Sequence, residues 1–459
     1  MHRPMTRRDF LKGGGKALLG AGLAGSLLAG CGGSGGGSGQ ITYWLALPGG
    51  EEYYRKNVLP AFEKAHKDLN LDITFHSPED LDRVTRTAIQ GGEGPDLITS
   101  PGPSYALELI NADILLEMDE YSRRYDWEDK ALGWALNSGR FDGKLYSVPT
   151  TYETMLLYIN QTLFDEKGWR APENRDELEA VAEEAMGQGI VPFAAGNAEW
   201  RPATEWFVTV FFNHFAGPDA LHQALTGELP WTDPVFVDSI DLLNSYFQKG
   251  WFGGSVQKYF STGLDSLHGQ FGDGKAAMNM EGSWFMSEIG GFFGQKANND
   301  NEWNWSPLPS LGPDAPFPLF ALGIGGTLSI NRRAQDPDAA AQYIDWLFSD
   351  PERTAGWMAD IPGIFDLPIP LESGDFPASM DERNVAVYES LGNATSRGNY
   401  GYVTWTFWPP KSNLFVYKGM EEVMTGKMTP AAYCEELDRT FKEEKAAGEM
   451  PPIISRDGA

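Results

Sequence analysis

The stretch His268–Phe285, HGQFGDGKAAMNMEGSWF, places Gly269, Gly274 and Lys275 at the spacing of a phosphate-cradling loop, G-x-x-x-x-G-K. In such a loop glycine N–H groups surround the phosphates, the lysine reaches the terminal ones, and a following Ser or Thr hydroxyl holds magnesium. Here Ala276 follows Lys275, so the hydroxyl is missing and the segment does not read as a nucleotide site. Other reactive patterns are equally absent from the sequence. The six histidines, at 2, 66, 76, 214, 222 and 268, include no H-E-x-x-H and no histidine–cysteine cluster at metal-ligand spacing. The run Asn298–Glu302 is rich in side-chain oxygen but lacks the alternation and the glycine of a calcium loop. No G-x-S-x-G elbow occurs, and adjacent acids such as Glu183-Glu184 and Glu435-Glu436 fall on amphipathic helical patterns as solvated faces. No catalytic residue, metal site or cofactor is expected.

The elements that carry these residues belong to a chain of 459 residues, long enough for two compact units or one large composite one. Hydrophobic residues make up 42% and charged residues 22%, which predicts a packed globular body. The net charge is −28 although residues 1–30 are net basic, so the remainder is more acidic still. Such a surface repels nucleic-acid phosphates and anionic lipid, which excludes nucleic acid as a partner. The N-terminus reads as an address. Thr6–Lys12 (TRRDFLK) resembles a twin-arginine export motif, and the apolar run Ala17–Ala29 is too short to cross ~30 Å of hydrocarbon. It ends in Leu28-Ala29-Gly30-Cys31, which resembles a lipoprotein cleavage box; an ordinary signal peptide ending near a cysteine is the plain alternative. Residues 1–30 are thus expected to be a signal peptide. Residues 31–40 are expected to be a tether lipidated at Cys31, its Gly/Ser run flexible. Cys434, the other cysteine, shares a helical stripe with Tyr433, Leu437 and Phe441 and reads as a small core residue.

Along the rest of the chain, helical and strand periods alternate. Ile41–Trp44 reads as a first strand, Val58, Phe62, Ala65 and Leu69 recur at helical spacing, and Leu71, Ile73 and Phe75 alternate as a strand. Asp233-Pro234, Asp336-Pro337 and Thr429-Pro430 each set a capping side chain before a proline at the first helical position. Strands separated by helices predict βαβ units and a mostly parallel sheet.

Four segments carry a resemblance: GPDLI (94–98), FDGKLYSVPTTYETMLLYINQTLFDEKGW (141–169), FGDGKAAMNMEGSW (271–284) and GIGGTLSINRRAQDPDAAAQYIDWLFSDPE (323–352). In this order they resemble the family 1 extracellular solute-binding proteins, the maltose-binding-protein-like receptors of ABC importers. The resemblance implies an α/β, two-lobed periplasmic-binding-protein type II-like fold, each lobe a mostly parallel sheet flanked by helices. Its expected N-terminal lobe is 41–149 plus 325–395, and its C-terminal lobe 150–324 plus 396–459. The chain would cross between lobes near Ser147–Thr151, near Gly323–Thr327, where glycines permit backbone change, and between Gly392 and Tyr400.

The resemblance also implies a carbohydrate ligand, and sugar recognition needs aromatic plates with planar polar groups around them. Trp44 closes the first strand, Trp200 and Arg201 lie in GNAEWRP, and Trp405 and Trp408 flank Phe407 in TWTFWPP. Trp284 ends the Met278–Met280 strand, whose methionines are expected to alternate into the core, and the family's position makes it the first choice for a plate. Glu153, just after Pro149, stands where the family often places a hydroxyl-binding carboxylate; a surface carboxylate is its alternative. Glu51 and Glu52 follow Gly49-Gly50, where the family makes a contact and where a helix cap would also serve; Glu52 is taken as the candidate. Ser100 and Ser104 either donate to a ligand or stabilise turns around Pro101 and Pro103. A salt bridge is the favoured reading for Arg201.

The expected protein is therefore a non-enzymatic, monomeric receptor that captures a mono- or oligosaccharide outside the cell and hands it to ABC permease subunits. It would touch the membrane through its lipid anchor only. A secreted glycoside hydrolase, or a receptor for a polyol or glycerophosphate, stands as the alternative.

Overall fold

Ile41, Tyr43 and Leu45 are buried and alternate with half-exposed Thr42 and Trp44 in β1 (Gln40–Leu45), the two-residue period of a strand with one covered face. The computed structural model describes residues 39–47, 50–91 and 94–455, all within one compact unit. The export motif, Cys31 and the tether as far as residue 38 lie outside the described residues; Gln40, the expected last residue of the tether, already belongs to β1. β2 (Asn70–Phe75) and β3 (Leu97–Ser100) both pair with β1 in parallel. The helices Leu59–Ala65 and Pro78–Gln90 make the crossovers that parallel neighbours require. A short hairpin, β4 (Arg140–Phe141) with β5 (Lys144–Leu145), precedes the long strand β6 (Val148–Asn160). Then follow β7 (Val191–Ala194), β8 (Ala276–Gly282), β9 (Trp303–Ser306), β10 (Phe320–Ile330) and β11 (Tyr400–Tyr402).

Two strands tie the molecule together. The first part of β6, to Thr154, pairs with β10, and the rest, from Met155, pairs with β8 and β9. β10 runs from β11 at Phe320–Leu322, along β6, to β3 at Thr327–Ile330. Among the described residues the sheet order is β2-β1-β3-β10-β6-β8-β7, with β11 beside β10 and β9 beside β6. The outer pairs β1–β2, β1–β3 and β7–β8 are parallel, but β6 and β10 run antiparallel to each other and to most of their neighbours. The sheet is therefore mixed where the halves join.

Burial follows the same division. One core collects Ile41–Val148 side chains with Leu328–Ile369. The other gathers Met155–Leu311, Phe320–Leu322 and residues from Met380 onward. The buried residues Val387, Tyr388, Leu391 and Ala394 of helix Glu382–Thr395 pack in the second core, and Met358 reaches it from the earlier stretch.

Local signals position the helices as expected. Asp233 accepts from Val235 N, Asp336 from Ala339 N and Thr429 from Ala432 N, each with proline at the first turn. Met278 and Met280 lie in the second core as expected, and β8 is buried at every position, Asn279 and Glu281 included. The glycines 323, 325 and 326 lie inside β10, with a register irregularity on either side of Gly326. None takes a positive φ; they are small because other groups approach their backbone. Among the described residues no helix is long and apolar enough to cross a membrane.

Candidate ligand-binding site

Glu153 sits on β6 opposite Gly323, where β6 leaves one core for the other. A side chain at Gly323 would crowd Val403, Glu153 and Trp405, and one at Gly325 would collide with the Glu153 carboxylate. The two glycines thus make the niche in which a glutamate and an indole meet. Trp405 occupies the first turn of helix Thr404–Phe407, directly after β11, and its Nε1–H donates to Glu153 Oε1. That helix is fixed from the first half of the chain. Ser104 Oγ donates to the carbonyls of Thr406 and Trp408, and Ile324 N–H donates to Thr406 Oγ1 at 2.8 Å.

From Trp405 a run of indoles extends into the second half. The Trp405 and Trp284 rings are 6.0 Å apart at 67°, and Trp284 and Trp206 are 5.2 Å apart at 52°. Trp284 begins the turn after β8, and Trp206 comes from the wholly buried helix Thr204–Phe211. Three separate elements thus deliver three rings to one place.

Around the rings stand acceptors. Glu205, next to Trp206, takes the Thr404 hydroxyl at 3.0 Å on Oε2. Asp366 Oδ1 accepts from Tyr388 OH at 2.8 Å and Gly363 N–H at 3.0 Å, its carbonyl takes Tyr152 N–H at 2.9 Å, and its Oδ2 is buried without a donor. Burial pushes the Glu153 carboxyl up to about 8; the Trp405 hydrogen bond opposes this and the Asp366 charge adds to it. Burial likewise lifts Glu205 to about 8, against its Thr404 hydrogen bond and helped by Glu153, and Asp366 to about 7 against its Tyr388 and Gly363 hydrogen bonds. Among the described residues no Lys, Arg or His forms an ion pair with any of the three. The arrangement offers aromatic surface and hydrogen-bond acceptors, the complement of a ligand with apolar faces and many hydroxyl donors.

The structure gathers Glu153, Trp284 and Trp405 from the expected residues and leaves the others elsewhere. Trp408 is corrected to a core residue: it is wholly buried, tilted against Trp231 at 5.4 Å. Glu52 is solvent-exposed and paired with Lys56 one helical turn on, which holds its carboxyl below the usual range. Ser100 is buried, its hydroxyl shared with Thr327 Oγ1 and the Gly102 carbonyl, so it stabilises the turn. Arg201 pairs with Glu421, which also accepts from Asn197 Nδ2 at 3.1 Å, while neighbouring Trp200 is exposed. Trp44 stands at the end of β1 with its ring edge-on to His76 at 5.3 Å, apart from the indole run. Sequence reasoning missed Glu205, Trp206, Glu281 and Asp366. The one signal it could have used for the first pair is a lone acid inside the apolar run ATEWFVTVFF.

Comparisons with known proteins agree with this architecture. An extracellular-binding protein of an ABC transporter in Pyrococcus horikoshii, itself uncharacterised, is 23% identical over 319 residues, 67% of each chain. The maltotriose-binding protein of Pyrococcus abyssi is 23% identical over 325 residues, 69% of this chain and 64% of its own. Among solved structures, a chitin oligosaccharide binding protein superposes with a TM-score of 0.74 at 19% identity, covering 89% of this chain and 99% of that one. Such a likeness fixes the fold, that of the two-lobed binding proteins. The family model for the bacterial extracellular solute-binding proteins matches residues 48–354, about two thirds of the sequence. With two cores joined by β6 and β10 and a candidate site at their junction, the chain belongs to the bacterial extracellular solute-binding protein family.

Proposed function

We propose that the protein is the substrate-binding component of an ABC importer and captures a mono- or oligosaccharide at the junction of its two halves. The observation that carries this reading is the indole run Trp206–Trp284–Trp405 set against Glu153 and Glu205, where β6 and β10 cross. Ring faces suit the apolar faces of pyranoses, and carboxylates suit their hydroxyls. The names of the relatives, for maltotriose and chitin oligosaccharide, support the same ligand class. No cation of the chain is paired with these carboxyls among the described residues, which leaves an anionic solute such as glycerophosphate without a counter-charge there. A ligand touching both halves stabilises the closed form by the contacts it makes only there, and that form is what permease subunits would receive. The protein binds without turnover, as a monomer, on the outer side of the cytoplasmic membrane, held there by lipid on Cys31 after twin-arginine export.

The test is a melting screen against mono- and oligosaccharides, polyols and glycerophosphate, followed by calorimetry and recovery of the ligand. A tight saccharide raises the melting temperature by mass action, binds one per chain and returns unchanged after long incubation. A response confined to polyols or phosphate esters rejects the sugar reading, and steady release of shorter sugars moves the protein to the hydrolases. Replacing Cys31 with serine should release the protein from membranes; an acylated variant that still partitions there rejects the anchor.

A further inference from the structure

The segment His268–Phe285 closes on itself. His268, on helix Leu264–Gly272, reaches Glu281 at the end of β8, its Nε2 standing 2.8 Å from Glu281 Oε2. The same oxygen accepts from Asn279 Nδ2 at 2.7 Å, and Oε1 accepts the Trp284 indole N–H at 3.2 Å. His268 also stacks on Phe285, the residue after that tryptophan, with centroids 4.2 Å apart and planes at 26°. Both His268 and Glu281 are 2% exposed, and the charge of Glu281 raises the imidazole against the opposing effect of burial. A carboxylate here is expensive. β8 is buried on both faces, and an apolar residue of the same size would fill the space without desolvating a charge. What the carboxylate does that an apolar side chain cannot is bond the indole N–H with one oxygen while His268 and Asn279 hold the other.

The other contacts of Trp284 leave its rotation to that bond. Its ring lies across Gly282, where any side chain would collide with the ring carbons, and Gly363 packs against its backbone. The neighbouring indoles meet it at tilted or edge angles. These are apolar contacts that confine the ring without selecting which edge points where.

We propose that Glu281, backed by His268 and Asn279, is the positioning residue for Trp284 and sets the face its indole presents to ligand before ligand arrives. The proposal rests on the reading of Trp284 as a stacking plate. Pre-set rotation matters because ordering a side chain at the moment of binding subtracts from affinity.

The experiment compares Glu281→Met, Glu281→Gln and His268→Gln with the unchanged protein. It reads the Trp284 indole N–H resonance without ligand, and affinities for maltotriose and diacetylchitobiose. Glu281→Met should shift that resonance and speed its exchange with solvent, and lower affinity about five- to tenfold. Glu281→Gln keeps an acceptor oxygen, so the indole should stay bonded and slow to exchange, with affinity within about threefold of the original. In a Trp284→Phe background, which has no N–H to hold, Glu281→Met should weaken binding no further. An unchanged resonance in Glu281→Met, or an equal loss of affinity in both backgrounds, overturns the proposal. Should Glu281→Met fail to fold, the resonance in Glu281→Gln and His268→Gln decides: both must keep the indole bonded, with altered shift. If neither saccharide binds the unchanged protein, the ligand reading fails, and the ligand-free resonance still decides the role of Glu281.

Discussion

The start of helix Pro410–Met424 and the crossing of β6 with β10 each bury a glutamate and a tryptophan, and treat them in opposite ways. At the helix, Glu444 is 1% exposed and its two oxygens take Lys411 N–H at 2.7 Å, Ser412 N–H at 2.8 Å and the Ser412 hydroxyl at 2.7 Å. From another helix it caps N–H groups that Pro410 and the first turn leave free. Trp408 beside it is held by packing, against Trp231, which in turn packs on Phe441. At the crossing, among the described residues, Glu153 has one donor, the Trp405 indole, and its neighbour Asp366 has an oxygen with none. Donors saturate the first carboxylate and leave the second wanting them. The difference separates a carboxyl whose bonding the fold completes from one whose bonding it leaves open.

That contrast can be broken by mutation. The largest effect is expected at Trp408→Ala, which empties a closed site and should cost about 3–5 kcal/mol of stability while leaving saccharide affinity unchanged. Glu444→Ala should follow at about 3 kcal/mol, because it strands buried N–H groups, again with affinity intact. Paired melts and calorimetric titrations check both; a loss of affinity in either would erase the distinction. Trp284→Ala should do the reverse, with a tenfold or larger loss of affinity, about 1.4 kcal/mol, and a small change in melting temperature.

The pH dependence sharpens the comparison further. Glu153 and Glu205 hold their protons to about 8 in the folded protein against an ordinary value of 4.5. Between those values the folded state binds more protons than the unfolded one, so the stability these carboxyls contribute is full below about 4.5 and declines as pH rises to about 8. Glu153→Gln should flatten part of that decline in ligand-free protein, and at pH 8 should weaken saccharide binding about tenfold by removing a charged acceptor. A decline of unchanged steepness in the variant counts against an under-satisfied Glu153. The smallest effect belongs to Glu52→Gln, whose exposed pairing with Lys56 should change the melting temperature and affinity by no more than measurement error.

What the sequence made legible was local. Asp233, Asp336 and Thr429 cap helices as their spacing said, because a cap and its helix are neighbours in the chain. The four ordered segments led to the family for a similar reason, since each is a continuous run. The candidate site was half legible. Position led to Trp284 and Glu153, which the structure sets beside Trp405, but a proline-rich neighbourhood made Trp408 read as a loop residue, and nothing local shows that Trp231 packs against it. Glu205 and Trp206 were missed because a helix buried on all sides has no polar face to mark what is unusual in it. β8 hid Glu281 in the same way: a strand covered on both faces lacks the polar side that would set its one acid apart.

The path of β10 has a consequence for how the chain is made. Thr327–Ile330 pair with Ser100–Leu97, and Leu328–Ile369 side chains complete the core begun at Ile41. The second core in turn takes side chains as late as Phe441 and Ile454. During synthesis from the N-terminus, neither half has its full set of strands and helices until the other has largely emerged. No contiguous stretch of the gene therefore encodes a half that could be cut out and expressed alone, and a ribosome that stalls before β10 leaves β3 and β6 with bare edges ready to pair with another molecule.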